Sequence, residues 1–214
     1  MPKPVGIVLL SGGLDSATLL YDRRAAGYEI EALFVDYGQR MAAVEERAAT
    51  EISIQAGTRL HIVRCPLPGE LTSGWLVDTP ESPDWRSHSQ KHLVTNLPHR
   101  NLLLGTLAAM LATKRQAQAV FLASIDIEAD AFPDSTEAFT QAIDHVVRLS
   151  DPRLSVMTPF ISWTKRQVAS RALELGVPVE LTFSCTFAVD HHCMECPSCL
   201  DREDALSFAA TDKK

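Results

Sequence analysis

The sequence predicts a doubly wound α/β domain on a parallel sheet, followed by a short cysteine-rich tail. Three observations carry that reading. The first apolar run, VGIVLL, is closed by Gly-Gly, the pattern of a strand buried on both faces. Short apolar runs then alternate with longer helix-like stretches, which calls for crossover units. Finally, 46% of the 214 residues are hydrophobic and 22% are charged, which suits one globular core.

The elements follow in order. Residues 5–10 read as the first strand and 16–26 as a helix that Gly27 ends. Residues 30–35 (IEALFV) form the second strand, and 42–56 a helix closed by Gly57. A short strand at 59–63 follows. The strongly apolar stretch 102–114 is a helix, 119–123 the fourth strand, and 134–149 a helix. That helix opens with Asp134-Ser-Thr-Glu137, which reads as a capping box. A strand at 154–157 and a helix at 164–175, capped by Thr164 and ended by Gly176, complete the series. Residues 67–96 are rich in Pro, Ser, Asp and Trp without a period, as in a long loop or lid. The predicted organisation is an α/β domain over 1–180, with 181–214 a metal-binding tail packed on it.

Composition also excludes. A formal charge of −7 argues against a phosphate-backbone footprint, which needs clustered Lys and Arg, so no nucleic-acid partner is expected. VGIVLL is too short for a signal-peptide core or a membrane span. A cytoplasmic, reducing setting is therefore expected, and the five cysteines need a role other than disulfides.

The loop SGGLDS, Ser11 to Ser16, lies where the first strand gives way to a helix. In open α/β sheets, ligands gather outside the carboxyl ends of the strands. A helix N-terminus there favours an anion, glycines let the backbone approach it, and serines add donors. Asp15 would repel a phosphate unless it held a magnesium ion against it. The chain has no GxxxxGK[ST] and no GxGxxG, so neither a Walker loop nor a dinucleotide fingerprint is present.

The tail carries Cys185, Cys193, Cys196 and Cys199, two overlapping CxxC units and a fourth cysteine upstream. Four thiolates that can close a tetrahedron point to zinc, and a full shell makes the ion structural. His191 and His192 stand beside these ligands as substitutes. Cys65 lies apart and is expected to be a buried thiol.

SGGLDS resembles the pyrophosphate-binding loop of the N-type ATP pyrophosphatases. With DYGQR (Asp36 to Arg40), the PxRN form in LPHRN (Leu97 to Asn101), FPDS (Phe132 to Ser135), TPF…WTK (Thr158 to Lys165) and TFSC before the cysteines, nearly the whole chain resembles the 7-cyano-7-deazaguanine synthase family of queuosine biosynthesis. The resemblance implies an adenine-nucleotide α-hydrolase-like fold. It implies ATP contacts along Leu10, Ser11, Gly12, Gly13, Leu14, Asp15, Ser16, Ala17, Thr18, Leu19 and Leu20. Asp15, Arg100 and Lys165 would serve catalysis. Asp36, Tyr37, Gln39, Arg40, Asn101, Phe132 and Asp134 would hold the substrate.

The implied chemistry takes ATP, Mg2+ and ammonia, adenylates 7-carboxy-7-deazaguanine, and ends at the nitrile, with zinc structural and a homodimer as the working unit. The chain departs from the family pattern in places. AFPDST (Ala131 to Thr136) replaces a GYPDCR-like stretch, His99 stands for a glycine, and Met41 for a histidine. Such edits leave room for a synthase-like enzyme of antiphage defence that stops at the amide or modifies a protein. A tRNA-modifying pyrophosphatase fits the negative charge less well.

Overall fold

A computed structural model describes residues 2–67, 71, 75–77, 97–125, 132–187 and 190–211. Most of the expected lid at 67–96, and Ala131 of the edited stretch, lie outside the described residues. The strands are β1 (Val5–Leu9), β2 (Glu29–Asp36), β3 (Arg59–Arg64), β4 (Ala119–Phe121) and β5 (Ser155–Met157). The α-helices are α1 (Leu14–Ala25), α2 (Ala42–Gln55), α3 (Arg100–Arg115), α4 (Glu137–Ser150), α5 (Lys165–Glu174) and α6 (Pro197–Thr211).

The sheet is parallel throughout, in the order β3-β2-β1-β4-β5. The chain leaves β1 in both directions, so the topological switch point lies between β1 and β4. One face carries a core that joins Leu19 and Leu20 of α1, Ile52 of α2, Val168 of α5 and Ala205 of α6 to Val8, Phe34 and Phe121. The other packs Ala108 and Ala112 of α3 and Ile143 of α4 against Ile7, Leu33 and Val120. This is the doubly wound architecture expected. It places the loop after β1 between the two helical layers.

Two helix starts test the reading of caps. Thr164 caps α5, accepting from the Gln167 N–H while the Gln167 side chain accepts from the Thr164 N–H. The box expected at Asp134 does not form. Pro133–Ser135 is a 3-10 turn, and α4 starts at Thr136, whose hydroxyl accepts from the Phe139 N–H. Thr136 is the better cap because it stands directly before the apolar helical stretch, whereas Asp134 is spent in the turn. Cys65 is also corrected. It is only half-buried, lying just past the end of β3, the edge strand of the sheet.

Candidate active site and metal centre

The loop after β1 is held by its own serines. Ser16 Oγ donates to the Gly13 carbonyl at 3.1 Å, lies 3.1 Å from Ser11 Oγ, and accepts from the Ser11 N–H at 3.2 Å. Gly12 has φ +82, and a Cβ there would lie 2.8 Å from the Glu45 carbonyl oxygen and 2.9 Å from Ala48 Cβ. Only glycine lets the loop pass so close to α2. Gly13 is extended (φ −79, ψ 165) and caps α1 with no side chain, which leaves the first N–H groups of that helix without a side-chain acceptor. Such a terminus suits an anion. Leu10, Leu14, Ala17, Thr18, Leu19 and Leu20 are buried, so their side chains pack the core and only their main chain could meet a ligand.

Asp15 and Lys165 meet across the top of the sheet. Lys165 Nζ donates to both Asp15 oxygens at 2.7 Å, each side chain being 25% exposed. Lys165 is the first residue of α5, where the macrodipole disfavours a cation. The Asp15 carboxylate offsets that. The segment after the 3-10 turn Val179–Leu181 crosses the same loop, and the Phe183 N–H donates to the Gly12 carbonyl at 2.9 Å.

A second cluster gathers beyond β2. Gln39 is buried and fully engaged: its amide donates to the Val35 carbonyl and to Glu45 Oε2, and its oxygen accepts from the Tyr37 N–H. It is a strut for the turn. Asp36 accepts from the Gly38 N–H. Arg100, at the start of α3, hydrogen-bonds the Tyr37 side chain and lies near Glu45. Burial pushes the Tyr37 hydroxyl and the Glu45 carboxyl up from their ordinary values, with Arg100 opposing both. Asn101 Nδ2 donates to the Asp134 carbonyl at 3.0 Å and to Ser135 Oγ at 3.2 Å. Phe132 stands just before that turn. The edited residues therefore have local work: Ser135 receives Asn101, and Thr136 caps α4.

Arg40 turns outward. Its Nε donates to the Trp75 carbonyl at 2.7 Å and its guanidinium lies 4.5 Å over the Trp75 ring. Trp75 in turn donates to the Thr186 carbonyl and stacks on Phe187. The rim of the cleft is thus tied to the cysteine tail.

The four tail cysteines place their sulfurs within 4.8 Å of one another, and Cys193 and Cys199 Sγ are 3.9 Å apart. Four Zn–S bonds of about 2.3 Å in a tetrahedron require sulfurs roughly 3.8 Å apart, so the set fits zinc. The Cys196 N–H points to Cys193 Sγ and the Phe187 N–H to Cys185 Sγ, which favours thiolates. Burial and the neighbouring sulfurs push the metal-free Cys199 thiol up. His191 is exposed on Asp190, and His192 accepts from the Ser184 N–H. Neither belongs to the cluster.

Sequence reasoning missed Glu45 and the Phe183 main chain. Glu45 carries a weak signal, an acidic residue in the first turn of α2. Phe183 carries none, because a backbone donor has no side-chain signature.

Sheet order and loop together define a doubly wound α/β protein with a glycine-rich turn and an uncapped helix N-terminus at its switch point. A 4-thiouridine synthetase, solved as an RNA complex with bound ATP, shares this fold with a TM-score of 0.53 at 20% identity over 95% of this chain. The match takes in 53% of that protein, so this chain spans about half its length. A predicted subunit of a tRNA methyltransferase from Methanocaldococcus jannaschii superposes with a TM-score of 0.51 at 14% identity, over 81% of this chain and 76% of the other. These likenesses concern the fold alone. The family model of the queuosine biosynthesis protein QueC matches residues 5–210. The chain belongs to that family. Relatives named 7-cyano-7-deazaguanine synthase include one from Archaeoglobus fulgidus, 33% identical over 94% of this chain and 84% of its own. Another, from Methanoculleus marisnigri, is 35% identical over 94% and 92%. A third, from Aquifex aeolicus, is 34% identical over 94% and 95%.

Proposed function

We propose that this chain is an ATP-dependent ligase that makes 7-cyano-7-deazaguanine from 7-carboxy-7-deazaguanine and ammonia. Its similarity to synthases of that name over more than nine-tenths of its length carries the reading. A substrate carboxylate oxygen attacks the α-phosphorus of ATP and pyrophosphate leaves. Ammonia then adds to the acyl carbon, and AMP departs with that oxygen, giving the amide. The amide oxygen attacks a second ATP, and loss of AMP and protons closes the carbon–nitrogen triple bond. AMP is a far better leaving group than oxide, which is why ATP is spent at this carbon.

The protein's part is positioning and charge stabilisation. Main-chain N–H groups at the start of α1, with Ser11 and Ser16, would hold the phosphates. Asp15 and Lys165 would exchange their mutual pair for a magnesium ion and a phosphate oxygen. Arg100 and Asn101, between the Tyr37 turn and the Ser135 turn, would meet the acceptor, with Asp36, Tyr37, Phe132 and Asp134 around it. Gln39 and Arg40 would act indirectly, as strut and rim contact. Zinc on Cys185, Cys193, Cys196 and Cys199 would cross-link the tail and take no part in the chemistry. The tail then belongs to the nucleotide domain and is no separate module.

The working unit in this reading is a cytoplasmic homodimer. Met110 of α3 and Val146 and Leu149 of α4, apolar and exposed, offer surface for a second copy. Among the described residues no helix is long and apolar enough to cross a membrane.

The test is incubation with ATP, magnesium, ammonium and 7-carboxy-7-deazaguanine, followed by mass spectrometry. Nitrile with equal AMP and pyrophosphate is expected. ADP and phosphate as sole nucleotide products would refute the pyrophosphatase chemistry, and a stalled amide would refute the nitrile as product.

A further inference from the structure

We infer that Arg202 is a positioning residue for the phosphate loop, acting through the main chain of Thr182 and Phe183. The inference rests on the nucleotide reading of that loop.

Arg202 lies in α6 and is 7% exposed. Its Nη2 donates to the Val179 carbonyl at 2.7 Å and to Thr182 Oγ1 at 3.3 Å, while Nη1 donates to Glu203 at 2.9 Å. Thr182 Oγ1 itself donates to the Val179 carbonyl at 2.6 Å. One guanidinium therefore anchors to α6 both ends of the short turn that delivers residue 183. The Phe183 N–H then holds the Gly12 carbonyl at 2.9 Å.

That last bond decides which way the loop faces. A peptide unit is planar and trans, so the Gly12 C=O and the Gly13 N–H point in opposite directions. Holding the oxygen back on Phe183 aims the Gly13 N–H to the other side, where Ser11 Oγ lies 3.4 Å away. Glycine flanks this peptide on both sides, and within the loop only the long 3.4 Å bond from the Gly13 N–H to Ser11 Oγ opposes a flip. A flipped peptide would present a carbonyl oxygen where a phosphate must sit. The shorter restraint, the 2.9 Å bond from the Phe183 N–H, comes from outside the loop.

Stability alone is a poor account of Arg202. Its Nε is buried with no hydrogen-bond partner among the described residues. A buried cation with an unpaired donor is costly, and an apolar side chain of similar volume commonly fills such a site at no loss. What an apolar side chain cannot do is tie the Val179–Thr182 turn to α6.

The experiment titrates ATP-magnesium into zinc-loaded full-length protein by calorimetry. Arg202→Met should weaken ATP binding about tenfold, the scale of one lost orienting hydrogen bond. Arg202→Lys should restore part of it, and Thr182→Val should shift affinity in the same direction by less. Ile143→Val, a core truncation on the opposite face, should lower the melting temperature and leave ATP affinity unchanged. Native-level ATP affinity in Arg202→Met would overturn the inference. If that variant fails to fold, Thr182→Val decides: faster hydrogen exchange at the Phe183 amide with unchanged ATP affinity would overturn it equally. Wild-type protein that binds no ATP would refute the nucleotide reading itself, and the inference with it.

Discussion

The paired glycines after β1 should fail in opposite ways when each gains a methyl group. Gly12→Ala meets two penalties. At φ +82 an L-residue carries strain of about 1–2 kcal/mol. Its Cβ would also stand 2.8 Å from the Glu45 carbonyl oxygen, a backbone atom of α2 that cannot swing aside. Such overpacking costs about 1–3 kcal/mol. The sum is about 2–5 kcal/mol, or a melting temperature lowered by roughly 4–20 °C for a chain of this size. Gly13→Ala meets neither penalty. Its backbone is extended, and a Cβ would find only Ser11 Oγ at 3.4 Å and the Phe183 oxygen at 3.6 Å. The fold should hold within about 0.5 kcal/mol, while the methyl crowds Ser11 Oγ, a donor to phosphate in the proposed function, and should weaken ATP binding about tenfold. Differential scanning calorimetry and ATP titration on the two variants give the comparison. A stable Gly12→Ala protein, or native ATP affinity in Gly13→Ala, would refute the loop geometry.

Other outcomes can be checked in parallel. Lys165→Met should change stability by no more than about 1 kcal/mol, because its pair with Asp15 is partly solvated, yet it should abolish turnover of ATP measured as pyrophosphate release. Purified protein should carry about one zinc per chain by elemental analysis, and Cys196→Ser should lose the metal and melt earlier, since binding energy in such sites is largely folding energy. His99→Gly should raise the melting temperature by roughly 2–4 °C, because His99 holds φ +63 before α3. Glu31 gives a pH signature. Burial alone would raise its carboxyl, but hydrogen bonds from Arg115 and His61 outweigh it and hold it below the ordinary value. A lowered folded value stabilises above the unfolded value of about 4.3 and is lost as pH falls through the folded one. Urea midpoints should therefore fall on acidification, and Glu31→Gln should flatten that slope.

Much of the fold was legible because its signals are local. VGIVLL before Gly-Gly, the alternation of runs, and Thr164 three residues before Gln167 each speak within a few positions. The cap of α4 was misplaced because Asp134 and Thr136 both offer a capping oxygen, and only the 3-10 turn at Pro133 decides between them. The cysteine cluster was legible from spacing alone. The pair of Asp15 and Lys165 was not, although both residues were singled out, because 150 positions separate them. The Phe183 contact with Gly12 was invisible for a different reason: it belongs to the backbone, and any residue but proline could make it.

The strap that Phe183 lays across the loop has a consequence for the order in which this chain comes into being. The loop leaves the ribosome before Lys165, Phe183 and Arg202, which stand 150 and more residues beyond Asp15 along the chain. At about 5–20 residues per second, the interval between Asp15 and Lys165 is roughly 8–30 seconds. Through that time β1, β2 and β3 can pair, but Gly12 has no outside donor and Asp15 no cation. The nascent protein therefore passes through a stage with much of its sheet and an unstrapped loop, and under the proposed function competence for nucleotide would arrive late, as the tail docks.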